Sequence, residues 1–133
     1  MSVLLFAVSL FLPVFDLRDQ PDGYYIGLPV FMVGWAECPL AWMANPLWLA
    51  ASVFVLLGRP MVGLAALIVA TALAFTSLTY LGTEMPTNAS GAVKAEIVAM
   101  GSGFWLWVAS IVSLGIGSAA QLALTKPKPV DPV

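Results

Sequence analysis

Residues 60–81 read PMVGLAALIVATALAFTSLTYL, a stretch without one charged side chain. About 20 apolar residues are enough for a helix to cross the ~30 Å hydrocarbon layer of a bilayer. In that layer every backbone N–H and C=O must be satisfied within the helix itself. Lipid is therefore the solvent for this part of the chain, and the rest of the fold has to be compatible with that. The composition agrees: 61% of residues are hydrophobic and 9% are charged, against about 45–50% and about 25% in soluble domains. Five basic and seven acidic residues cannot cover the surface of a soluble fold this small. The length suits one domain.

Charges, prolines and glycines divide the chain into further apolar runs. Met1–Phe15 is apolar apart from Ser2 and Ser9 and stops at DLRDQPDG, residues 16–23. It has no basic leading region and no A-x-A-like cleavage site, so it reads as an uncleaved first span rather than a signal peptide. Residues 24–40, YYIGLPVFMVGWAECPL, carry breakers at Gly27, Pro29, Gly34 and Pro39. They read as an ordered aromatic loop on the outer membrane surface, with room for a short interfacial helix or hairpin.

The next run opens with AWMANPLW, residues 41–48. A helix starting only at Pro46 and ending at Gly58 is too short for a full crossing, so the span is expected to begin near Pro39. Pro46 then falls about two turns in and kinks it, with Asn45 satisfying the loosened backbone. A rival geometry makes Asn45 the N-cap and Pro46 the first helical residue. Gly58-Arg59-Pro60 is a tight turn that closes one span and opens the next. Residues 82–96 are polar and include an Asn88-Ala89-Ser90 sequon, a weak pattern on its own. A last apolar run starts at Ile97, and TKPKPVDPV closes the chain as an extended, disordered tail. The expectation is an all-α membrane protein with four transmembrane helices and a long aromatic outer loop between the first and second. Its single domain covers residues 1–124, with spans at about 2–16, 40–58, 60–81 and 97–121, followed by a Pro-rich cytoplasmic tail at 125–133.

With four spans, both termini share one side with Arg59, Lys126 and Lys128, and Arg18 and Lys94 occupy the other. Positive charge is retained on the cytoplasmic side, so a three-to-two bias places the termini there. Tyr24, Tyr25, Trp35, Trp42, Trp48, Tyr80, Trp105 and Trp107 map to the outer loops or outer halves of spans. Such rings prefer the membrane interface, where one end is apolar and the other hydrogen-bonds. Trp35, Trp42, Asn45, Pro46, Trp48, Trp105 and Trp107 are accordingly read as helix-entrance and anchoring residues, with Asn45 costlier to lose than Trp42. Small residues recur four apart as Ala66, Ala70 and Ala74, and as Ala109, Ser113 and Gly117. These stripes let helices approach closely, within the bundle or against another membrane protein.

The chemistry-bearing residues are few. Histidine is absent, which removes the commonest metal ligand and general base. Cys38 is the single cysteine, so a disulfide, a CxxC pair and a thiolate zinc site are excluded. Its neighbour Glu37 should raise the thiol pKa and keep it unreactive. Asp16, Asp19 and Asp22 recur every three residues but lack the EF-hand pattern. The net charge is −2 with no basic run, so no nucleic acid is expected as a partner. No Asp, Glu, Lys or Arg sits in the middle of any of these spans, which argues against proton relays and ion pumps. Thr71, Thr76, Ser77, Thr79, Ser110 and Ser113 could line a polar path, though such hydroxyls usually bond back to their own helix. The aromatic layer could also house a lipid or quinone, with Glu37, Asn45 and Trp105 as lining. No catalytic, cofactor or metal site is expected.

The GW at 34–35, AWMANPLW at 41–48 and GSGFWLWVAS at 101–110 resemble elements of a set of small bacterial four-helix integral membrane proteins of unassigned function. These share W-x-A-N-P-L and G-x-G-F-W-L-W-like elements. The likeness covers about residues 5–118 and implies an architecture, with no activity to carry over. The chain departs from the pattern in having Met43 where leucine is expected and in lacking a basic N-terminal flank. The functional expectation, with the bacterial plasma (inner) membrane that the resemblance implies, is a non-enzymatic structural or accessory subunit of a larger membrane complex, partnered by lipid and by another integral membrane protein or itself. The alternative is a small transporter, channel or lipid/quinone-binding protein with its site between the third and fourth spans, tested at Thr76 or Ser110.

Overall fold

A computed structural model describes residues 1–18, 24–86 and 93–124, the side chain of Tyr24 excepted. The elements in order are α1 (Ser2–Ser9), β1 (Pro13–Leu17), β2 (Tyr24–Ile26), α2 (Gly27–Glu37), α3 (Pro39–Trp42), α4 (Ala44–Leu56), α5 (Pro60–Phe75), a 3-10 turn (Thr76–Tyr80), β3 (Glu84–Pro86), β4 (Lys94–Met100) and α6 (Ser102–Leu124).

Among the described residues three helices are long and apolar enough to cross a membrane: Pro39–Leu56, Pro60–Tyr80 and Ser102–Leu124. Only 22%, 28% and 22% of their apolar windows are buried within the chain. The remaining apolar surface faces outward, the arrangement expected where lipid replaces water. Pro46 explains the join between α3 and α4. It has no N–H to give the Trp42 carbonyl four residues back, and the helix loosens at Met43, where Leu47 N–H reaches the Met43 carbonyl at 3.4 Å. Pro46 itself sits in the first turn of α4, where its missing donor costs little.

Gly58, at φ +73°, ends α4 in a left-handed conformation that L-residues resist. Arg59 N–H bonds the Phe54 carbonyl at 2.9 Å and Gly58 N–H bonds Val55 at 3.1 Å, the two bonds of a Schellman cap. Pro60 then opens α5. α5 lies close against α4 because Gly63 has no side chain: a Cβ there would fall 2.7 Å from the Val55 Cγ2 and 3.1 Å from the Ala51 carbonyl. The bundle core is Ala44, Trp48 and Ala51 of α4, Leu67, Ala70 and Ala74 of α5, and Phe104, Val108 and Ile111 of α6.

The strands form one antiparallel sheet ordered β2-β1-β4-β3. It lies at the bundle end where α5 finishes and α6 begins. Phe15, Leu17, Ala95 and Ile97 form its core, alternating with exposed Asp16 and half-buried Glu96 as a pleated strand requires. Arg18 pairs with Glu96 at 3.0 Å on its outer part.

This architecture differs from four spans. α1 has 8 residues, about 12 Å of helix, and stops well short of a crossing. Pro13 is the reason: it cannot continue a helix interior but can begin a strand, where its missing donor does no harm. The following Val14-Phe15-Asp16-Leu17 has the two-residue period of a strand. α1 instead packs along the sheet-side half of α6, with Ser2 Oγ donating to the Ser110 carbonyl at 2.7 Å. Likewise Ile97–Met100 belongs to β4, so the last helix starts at Ser102. The segment read as an outer loop holds the 11-residue α2. The sequon and residues 125–133 lie outside the described residues.

Candidate functional site

Between the sheet, α2 and the sheet-side ends of the long helices lies a cavity of about 60 Å³. Its position follows from a tight passage of backbone. The chain between α1 and β1 threads past three glycines: a Cβ on Gly27 would collide with the Ser9 carbonyl, on Gly101 with the Pro13 carbonyl, and on Gly103 with the Leu12 carbonyl at 2.6 Å. Leu28 N–H bonds the Leu10 carbonyl at 2.7 Å and Gly101 N–H the Val14 carbonyl at 2.8 Å. α2 and the start of α6 are thereby held on either side of this passage, with the cavity alongside.

Aromatic rings form much of the wall. Phe6 stacks on Trp48 at 4.6 Å between centroids and meets Phe31 edge-on at 5.8 Å. Phe104 meets Trp107 at 6.1 Å. A larger groove of about 420 Å³ runs between α2 and the sheet and shares Phe15, Val30, Gly34 and Cys38 with the cavity. Among the described residues no charged side chain lines the cavity, and Glu37 is the one that lines the groove. Burial first, and Glu37 second, raise the Cys38 thiol above its ordinary range, and the same causes raise the Tyr25 hydroxyl. Both groups stay protonated at neutral pH, which makes Cys38 a poor nucleophile.

The residues singled out in the sequence are distributed unevenly around this site. Trp42 Nε1 donates to the Phe31 carbonyl at 2.7 Å and ties α3 back to α2. Trp48 is 6% exposed and donates to Ser2 Oγ at 3.1 Å, so Ser2 relays α4 to α6. Trp107 donates to Asn45 Oδ1 at 2.9 Å. Asn45 is thus neither an N-cap nor a patch on loosened backbone: α4 is preceded by Met43 with no side-chain cap, and the amide joins α4 to α6. Trp35 and Trp105 are 62% and 51% exposed, and Trp105 does not line the cavity.

In the first small-residue stripe, Ala70 and Ala74 are buried and Ala66 packs beside them. In the second, Ala109 and Ser113 are half-buried, and Gly117 is exposed with no atom near its Cβ position. The close approach of α5 to α4 at Gly63 was not among the residues that spacing identified. Neither were the glycines beside the α1–β1 passage: Gly27 reads in the sequence as a loop breaker, and Gly101 and Gly103 only as a Gly-x-Gly ahead of the last span.

Of the six hydroxyls considered for a polar path, Thr71, Thr76, Thr79, Ser110 and Ser113 bond the carbonyls of Leu67, Leu73, Thr76, Trp107 and Ser110 close behind them in the chain, and Ser77 lines the cavity. Asp19 and Asp22 lie outside the described residues. Compared with protein-family models, with curated proteins and with solved structures, the chain matches none.

Proposed function

We propose that this chain is a small non-enzymatic integral membrane protein of a bacterial plasma membrane. In this reading it serves as a structural or accessory subunit of a larger membrane complex. The observation that carries this is the outward-facing apolar surface of the three long helices, combined with an interior whose indoles and most buried hydroxyls are bonded within the chain. Little polar chemistry is left for turnover, and a broad lateral surface is left for association by close packing, which drives helix assembly in lipid. Under the positive-inside rule, Arg59 in the turn between α4 and α5 favours the cytoplasmic side for that end of the bundle, and this reading puts the sheet and α2 on the outer face.

The test is the native mass of the chain extracted from its own membrane in mild detergent. A heavy complex of fixed stoichiometry is expected. A lone monomer would overturn the subunit reading. A second reading, a protein that binds a lipid or quinone, is favoured by the neutral aromatic-walled cavity beneath the sheet, since ligand pockets are mostly apolar with a few placed polar groups.

A further inference from the structure

Four serines are buried among the described residues: Ser9, Ser77, Ser110 and Ser118. Ser9 bonds the Phe6 carbonyl, Ser110 the Trp107 carbonyl and Ser118 the Leu114 carbonyl. Ser77 is 5% exposed and has no side-chain hydrogen bond among the described residues. Its neighbours Thr76 and Thr79 both bond back to the carbonyl three residues earlier, so the local backbone offers that partner and Ser77 does not take it. Ser77 lines the cavity instead. Among the described residues every side-chain polar atom fully removed from solvent has a hydrogen-bond partner, so the unpartnered Ser77 oxygen keeps its access through the cavity it lines, where an acceptor would complete its bonding.

Asn45 lines the same cavity. Its Oδ1 accepts from Trp107, which fixes the sense of the amide, so the open group is the NH₂. It carries two donors, and none has a protein acceptor among the described residues. Two uncharged donor groups, from α4 and from the turn after α5, therefore line a space whose wall is otherwise mostly rings, aliphatic side chains and glycines.

We propose that this cavity holds the carbonyl head of a neutral lipophile. The Ser77 hydroxyl and the Asn45 amide donate to the carbonyl oxygen, and the apolar body follows the groove under α2. Two sources share this chemistry: a ring quinone and the ester of a glycerolipid. A cavity of about 60 Å³ takes a head and no more, at about 10–15 Å³ for each water-sized group. The adjoining groove of about 420 Å³ supplies room for the rest. A charged head is excluded because no ion partner lines the cavity. The proposal deepens the lipid-or-quinone reading and rests on it.

The test uses the full chain purified in mild detergent. A decyl-substituted 1,4-benzoquinone is titrated while tryptophan emission and the infrared carbonyl stretch are followed, and co-purified lipid is counted by native mass spectrometry. Saturable quinone binding with a carbonyl stretch shifted to lower frequency is expected, weakened about two- to tenfold by Ser77→Ala, the loss of one neutral hydrogen bond. Ser77→Val should fill the cavity and abolish binding. If the quinone does not bind but a diacyl lipid is retained by the wild type and lost from Ser77→Val, the same carbonyl site is supported with a lipid as its source. Binding that saturates without a carbonyl shift and is indifferent to both variants overturns the site while leaving the ligand-binding reading intact. Failure to bind either class overturns both.

Discussion

Asn45→Ala and Trp107→Phe, made singly and together, isolate the side-chain bond that joins α4 directly to α6. The bond is 2.9 Å long and partly buried. In membrane bundles such inter-helix bonds average about 0.6 kcal/mol in coupling and reach about 1.7 kcal/mol. Each single substitution also leaves a polar partner behind in a low-dielectric setting, which adds about 1–3 kcal/mol for a fully buried group and less for this partly buried one. Asn45→Ala strands the indole N–H, and Trp107→Phe strands the amide oxygen and loses ring contact with Phe104. Each single change should destabilise by about 1–2 kcal/mol, and the double should cost about 1 kcal/mol less than the sum, near the middle of the coupling range. The assay is equilibrium unfolding in mixed micelles with increasing dodecyl sulfate, followed by far-ultraviolet circular dichroism. Additivity within about 0.3 kcal/mol, the behaviour of independent sites, would refute the reasoning. Asn45→Leu should also harm the fold more than Trp42→Phe. The Phe31 carbonyl that Trp42 reaches keeps its own helical donor in α2, whereas Trp107 has no such substitute.

Gly63→Ala should destabilise by about 1–3 kcal/mol through overpacking against Val55 and the Ala51 carbonyl. Gly115→Ala, where nothing lies within 4 Å of the Cβ position, should be neutral or stabilise by up to about 1 kcal/mol; the same unfolding titration separates the two, and equal effects would contradict the packing. Because the folded Cys38 thiol is raised, first by burial and then by Glu37, its thiolate fraction at pH 8 is lower than that of an unperturbed thiol. Maleimide labelling of the folded chain should keep accelerating above the ordinary thiol pKa of about 8.5, while the detergent-unfolded chain levels off there; a plateau at or below that value in the folded chain would argue against the environment described. In vesicles of brominated lipid, single-tryptophan variants keeping Trp105, which is 51% exposed, should be quenched strongly, and variants keeping Trp48, which is 6% exposed, should not; the reverse order would contradict the placement of these rings.

The sequence by itself determined which segments are long and apolar enough to cross a membrane. The run 60–81 carries no charge, and the helices at Pro39–Leu56 and Pro60–Tyr80 start and stop where Pro39, Gly58 and Pro60 say they should, because these residues act on the backbone locally. Short apolar runs were ambiguous for a physical reason. Val14–Leu17 and Ile97–Met100 are apolar enough to extend a span, and whether they do depends on the partner strand each finds in the other, a contact far apart in the chain. Hydrogen-bond partners were equally hidden. Asn45 next to a proline reads as a helix cap, and only the arrival of α6 turns its oxygen toward Trp107. Tryptophans near helix ends read as interface anchors, and only the packing of α1 against the bundle draws Trp48 into the core. Likewise Ser77 was one hydroxyl among several in the sequence. The tertiary structure set it apart by bringing α2, α4 and α6 together around a space in which it alone of the buried serines has no bond to make.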